Sequence, residues 1–195
     1  MEEGKIKSVL FMGPTGSGKG TQAKLLAEKT GYKIFSSGDK FRELRQRQDD
    51  LGARIREEYD KGLLMPAWFA SLVFQEELIY APSGQGIIFE GTARTLAEAQ
   101  HFNEVSAWLQ RDYVAVCLNI GEEESMKRQI KRAQVEHRPD SDTPEKIHVR
   151  FAEFHKHTAP AIDFLRSINK VIEIDGEQSI EQVFADILAK LGEKV

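Results

Sequence analysis

The chain has 195 residues, enough to bury one substantial core and too few for several full-sized domains. Its 27 basic and 31 acidic residues leave a formal net charge of −4, which excludes nucleic-acid binding by bulk charge, so any anion must be held by a local cluster. A single cysteine, Cys117, excludes an internal disulfide and a multi-thiolate zinc site, and its apolar setting Val114-Ala115-Val116-Cys117-Leu118 reads as core. No apolar run approaches membrane-spanning length, and Met1-Glu2-Glu3-Gly4-Lys5 carries no apolar targeting stretch. The expectation is a cytoplasmic protein with neither membrane nor nucleic acid as a partner.

In chain order, short apolar runs alternate with helical stretches. Strands are expected at Lys7–Met12, Lys33–Ser36, Gly86–Glu90, Tyr113–Leu118 and Lys170–Ile174, and the longest helix from about Thr143 to Ser167. Such alternation predicts a parallel α/β sheet covered on both faces, with ligands at the carboxyl ends of the strands. The first strand runs into Gly13-Pro14-Thr15-Gly16-Ser17-Gly18-Lys19-Gly20-Thr21, and a helix begins near Lys19. Strand, glycine loop and helix together make a phosphate cradle. Glycines let backbone N–H groups converge, the helix start adds its positive dipole end, and Lys19 adds a full charge.

The loop departs from the commonest phosphate loop, because Gly20 follows the lysine and Thr21 comes one residue later. In this it resembles the adenylate kinase family. Phe35-Ser36-Ser37-Gly38-Asp39-Lys40-Phe41-Arg42 is similar to that family's Ser-Thr-Gly-Asp-x-x-Arg segment, with Ser37 in place of threonine. Gly62-Leu63-Leu64-Met65-Pro66 resembles its Gly-x-Leu-Val-Pro turn. Glu90-Gly91-Thr92-Ala93-Arg94-Thr95 matches its Asp-Gly-Phe-Pro-Arg-Thr at Gly91, Arg94 and Thr95 only. Arg128 and Arg132 match an arginine pair, and Arg138 and Arg150 fall at the two arginines of a short lid. In that lid Ser141 splits the acidic pair Asp140 and Asp142.

The resemblance covers nearly the whole chain and implies a P-loop NTPase-type fold: a five-stranded parallel sheet with helices on both faces, a helical acceptor-binding hairpin and a short lid. One domain is expected over 1–195, with core segments 1–36, 81–132 and 151–195, the hairpin at about 37–80 and the lid at about 133–150. The implied reaction moves a phosphoryl group reversibly from ATP-Mg to AMP, giving two ADP, in a monomer that needs Mg2+ and no zinc. By resemblance ATP is held by Gly13, Gly16, Ser17, Gly18, Lys19, Gly20, Thr21, Arg128, Arg132 and Gly176. AMP is held by Ser37, Gly38, Arg42, Leu64, Met65, Gly91, Arg94, Glu98, Arg138 and Arg150. Lys19, Arg94, Arg132, Arg138 and Arg150 carry the chemistry, and Glu90 serves Mg2+ through water.

Two departures bear on this reading. The family's Phe-Pro bond is cis, whereas Thr92-Ala93 should be trans, because a cis bond without proline costs about 2.5–4 kcal/mol. The family also has glutamine where Glu98 stands, reading adenine from the helix face that carries the arginine. An ionised carboxylate only accepts hydrogen bonds, so it matches guanine N1–H and N2–H better than adenine, unless burial keeps it protonated. A different nucleoside monophosphate as acceptor, or a nucleotide-binding regulatory protein with weakened turnover, are the competing readings.

Overall fold

The computed structural model describes residues 5–82, 84–135 and 143–195. Strand β1 (Ser8–Met12) is buried at every position, as a strand covered on both faces must be. Its side chains alternate. Leu10 and Met12 join Phe74, Phe89, Phe102, Cys117 and Leu165 in one core layer, while Val9 and Phe11 join Ala23, Leu26, Val116, Ile174 and Ile187 in the other.

After β1 come α1 (Lys19–Thr30), β2 (Lys33–Ser36), α2 (Ser37–Arg45), α3 (Asp50–Tyr59) and α4 (Ala67–Tyr80). Next are β3 (Ile87–Glu90), α5 (Leu96–Trp108), β4 (Tyr113–Asn119) and α6 (Glu122–Val135). The order closes with α7 (Pro144–Glu153), α8 (Ala159–Ser167), β5 (Val171–Asp175) and α9 (Ile180–Leu191). The sheet order is β2-β3-β1-β4-β5, and every pairing is parallel, with Phe11 opposite Glu90 and Met12 opposite Cys117. Helices α4, α5 and α8 feed the first core layer, and α1 and α9 the second. A third cluster, built on Phe41, Ile55, Tyr59, Met65, Ala70 and Val73, holds α2, α3 and α4 together. The expected five-stranded parallel fold is the one observed.

The long helix expected from Thr143 to Ser167 is broken by a π-helical turn, Phe154–Thr158. Pro160 lacks the N–H that an α-helical ladder needs there and its ring crowds the preceding turn. The Ala159 N–H instead reaches back to the Phe154 carbonyl, which widens the helix locally. Parallel strands end at one side of the sheet, so Gly13, Ser37, Gly91, Asn119 and Gly176 all lie at strand ends on that side.

Candidate active site

A cleft of about 1040 Å³ opens on that side. It begins at the glycine loop. Gly13 has φ 127°, and a Cβ there would strike the Leu118 carbonyl oxygen; Gly16, at φ 79°, would meet the Ser125 carbonyl at 2.9 Å. Glycine is therefore required at both places for the loop to lie against β4 and α6. Helix α1 starts after Gly18, itself left-handed at φ 92°, with no side-chain cap. Its first-turn N–H groups face the cleft as a site for an anion.

Lys19 is 7% exposed, and its Nζ donates to the carbonyls of Gly13 (2.9 Å) and Pro14 (2.7 Å) and to Ser17 Oγ (3.3 Å). Burial pulls its pKa down to about 7; Glu90 opposes that shift, and Arg94 and Arg150 reinforce it. An arriving phosphate would restore the charge by supplying the anion the lysine lacks. Helix α6 braces the loop from outside: Ser125 Oγ donates to the Thr15 carbonyl, and Gln129 Nε2 donates to Thr15 Oγ1 (2.7 Å). Ser125 and Gln129 escaped the sequence analysis. Their signal was their i,i+4 spacing on the face beside the Arg128/Arg132 pair.

Every site residue expected from the sequence lines this one cleft, except Arg138, which lies outside the described residues. Lys19, Arg42, Arg94, Arg128, Arg132 and Arg150 thus converge from α1, α2, the loop after β3, α6 and α7. Arg128 is fixed by Glu124 (2.7 Å) and by the carbonyls of Gly176 (2.9 Å) and Glu177 (3.4 Å), so it ties α6 to the turn after β5. Arg42 donates to Tyr59 Oη (3.0 Å) and to the exposed carboxylate of Asp39. These acceptors, with the tyrosine foremost, hold its guanidinium charged despite burial. Tyr59, Thr92 and Glu153 also line the cleft and were not expected. Glu153 Oε2 accepts from the Leu64 N–H at 3.4 Å, linking α7 to the turn that carries Leu64 and Met65.

This cleft therefore pairs a phosphate loop with arginines drawn from separate elements, as a transfer between two phosphorylated ligands demands. A family model described as adenylate kinase matches residues 11–170. An adenylate kinase of Maricaulis maris is 36% identical over 189 residues, covering 96% of this chain and 100% of the relative. One of Thermus thermophilus is 33% identical over 187 residues, covering 95% and 97%. One of Archaeoglobus fulgidus is 31% identical over 211 residues, covering 94% and 97%. The chain belongs to the adenylate kinase family. It is an enzyme, a transferase of the nucleoside monophosphate kinase class.

Against this family's pattern the departures have a visible cost and a visible use. The Thr92–Ala93 peptide is trans, as expected without proline, and Ala93 sits in the left-handed region at φ 57°. Proline, locked near φ of about −65°, could not occupy that backbone. Thr92 turns its hydroxyl to Ser37 (2.9 Å), so two of the substituted positions meet. Glu90 Oε2 accepts from Ser36 Oγ at 3.0 Å. Glu90 also lines the cleft, where a carboxylate beside Lys19 fits a water-held Mg2+. No group of three or more His, Cys, Asp or Glu side chains able to hold a metal occurs among the described residues. No helix among them is long and apolar enough to cross a membrane.

One expectation needs correcting. Arg94 and Glu98 do not share a helix face, because Arg94 precedes α5 and Thr95 is its cap. Thr95 Oγ1 accepts from the Glu98 N–H (3.2 Å), Glu98 Oε1 accepts from Thr95 Oγ1 (3.1 Å), and Glu98 Oε2 accepts from the Arg94 N–H (3.0 Å). This is a variant of the capping box, with the carboxylate reaching the N–H one residue before the cap, and its sequence form is Thr95-Leu96-Ala97-Glu98. It leaves Glu98 2% exposed rather than solvated.

Proposed function

We propose that the enzyme transfers the γ-phosphoryl group of Mg·ATP to the phosphate of AMP, reversibly, giving two ADP. An acceptor phosphate oxygen attacks Pγ, the bond from Pγ to the β-phosphate oxygen breaks, and ADP leaves. The nucleophile is already an anion, so no general base is needed. What remains is positioning and neutralisation of charge.

The reading rests on the convergence of Lys19, Arg42, Arg94, Arg128, Arg132 and Arg150 on one cleft. The glycine loop and the open start of α1 suit the donor's phosphates, with Lys19 following the charge as it moves. Arg128, braced on Gly176, suits the donor's base, over which a planar guanidinium stacks. Arg42 and Arg94 suit the acceptor's phosphate, since a guanidinium fork matches phosphate oxygens in pairs. Ser37, Gly38, Gly91, Leu64 and Met65 would wall the acceptor, and Arg132 and Arg150 would face the transferring group. Glu90 would hold Mg2+ through water, and that ion supplies charge neutralisation on the donor phosphates. The lid arginines exclude water once both ligands are bound, which favours transfer over hydrolysis.

Incubation with Mg·ATP and a panel of nucleoside monophosphates, with nucleotides separated afterwards, tests this. Diphosphate formed from AMP is the expected result; no diphosphate from any acceptor would refute it.

A further inference from the structure

Glu98 is the most deeply buried carboxylate lining the cleft, at 2% exposure, and its two oxygens are fixed rather than mobile. Helices α4 and α5 pack against each other beside it. Phe74 of α4 packs on Phe102 of α5 at 5.4 Å between ring centroids, and Gln75 Oε1 meets His101 Nε2 at 2.8 Å. Ala70, one turn before Phe74 on α4, and Glu98, one turn before Phe102 on α5, both line the cleft with Met65. An apolar wall facing a fixed, buried hydrogen-bonding edge is what a flat heterocycle requires.

Each Glu98 oxygen already accepts one hydrogen bond, from the Arg94 N–H or from Thr95 Oγ1, and each keeps a further lone pair. As an anion the group therefore presents two acceptors side by side. As an acid it presents one donor and one acceptor. Adenine offers a donor at N6 beside an acceptor at N1; guanine offers two donors, N1–H and N2–H. Building on the acceptor site assigned above, we propose that Glu98 reads the acceptor base and that its proton selects which base fits: the acid takes adenine and the carboxylate takes guanine.

The surroundings favour the protonated acid more than water does. Burial raises the Glu98 pKa, against hydrogen bonds from the Arg94 N–H and the Thr95 hydroxyl and the charge of Arg94. An acceptor phosphate bound to Arg94 would offset that charge and leave burial to dominate. The other charged groups nearby are engaged elsewhere. On α4, Glu77 pairs with Lys33 and Glu76 lines a separate hollow against β2. On α8, Asp163 pairs with Arg166. On α5 itself His101 is bonded to Gln75, and Glu104 is exposed. Arg42, Arg150, Glu90 and Glu153 share the cleft.

The test is kcat/KM for AMP and for GMP, with Mg·ATP, from about pH 5 to about pH 8, a range beginning above the ordinary carboxylate pKa. The ratio of the two cancels titration of the acceptor phosphate, whose second pKa of about 6 is common to both. The AMP:GMP ratio of the native enzyme should fall by about tenfold or more as pH rises, the loss expected when a matched polar pair is removed. Glu98→Gln, whose amide oxygen can still accept from the Arg94 N–H while its NH2 donates to Thr95 Oγ1, leaves one donor and one acceptor free at every pH and should make the ratio high and flat. A native ratio that does not move with pH, or a Glu98→Gln enzyme with the native profile, overturns the proposal while leaving the kinase assignment standing. Absence of transfer to every monophosphate overturns both. Should Glu98→Gln fail to fold, which its thermal melt reports, the native pH profile decides alone.

Discussion

The hydroxyl oxygens of Ser37 and Thr92 lie 2.9 Å apart, joining the start of α2 to the loop after β3. Both residues are buried at the edge of the cleft. Thr92→Val removes one partner and leaves the Ser37 hydroxyl buried with that bond unmade, which costs about 1–3 kcal/mol. For a chain of this size that lowers Tm by about 2–4 °C per kcal/mol. Ser37→Ala combined with Thr92→Val should recover most of the loss, because replacing both partners by apolar groups is nearly neutral. Additive losses in a thermal double-mutant cycle would show that the contact contributes nothing.

Ala93 carries a left-handed backbone, φ 57°, and a side chain that is fully buried. Two effects oppose each other there. Ala93→Gly relieves about 1–2 kcal/mol of backbone strain and forfeits about 0.8 kcal/mol of methyl burial, so its stability should change little. Ala93→Val adds volume to a packed site and places a β-branched residue at positive φ, with a combined cost above about 2 kcal/mol. Denaturant unfolding of the two variants checks the contrast. A Val variant as stable as the Gly variant would contradict the assigned backbone.

Lys19 couples protons to both folding and binding. Unfolded, it would hold its proton up to about 10.5; folded, burial lets the proton go near about 7. Between these values the unfolded chain binds more protons, so this group makes stability rise with pH from about 7 to about 10.5, and its full penalty is present below about 7. Lys19→Met should remove that slope from the stability profile. Nucleotide phosphates return the charge, so binding at about pH 8 should take up close to one proton. Calorimetry in buffers of different ionisation enthalpy measures this, and unchanged uptake in Lys19→Met would sink the assignment.

Much of the fold was legible because short apolar runs and a glycine loop leave few alternatives. Val9 and Phe11 going to one core and Leu10 and Met12 to the other follows from strand alternation once helices are expected on both sides. The cationic residues and their convergence on one site were legible as motifs; the contacts that fix them were not, since Arg128 and the Gly176 carbonyl come together only through the parallel packing of β4 and β5. The π turn at Phe154–Thr158 was missed because periodicity does not register one extra residue in a turn. Glu98 was read as a partner of Arg94 on one helix face, when the local rule that decides its place is the Thr95 cap. Ser37 and Thr92 were seen as two independent departures, and only the tertiary structure pairs them.

The central claim is phosphoryl transfer driven by preorganised positive charge, with Lys19 at its centre. The direct measurement is ADP formation from Mg·ATP and AMP by the native enzyme and by folded Lys19→Met. Native enzyme should make two ADP for each AMP consumed, and Lys19→Met should be slower in kcat by about 10²–10³, the usual effect of removing one such charge. No ADP from the native enzyme, or a folded Lys19→Met with undiminished kcat, would contradict the account.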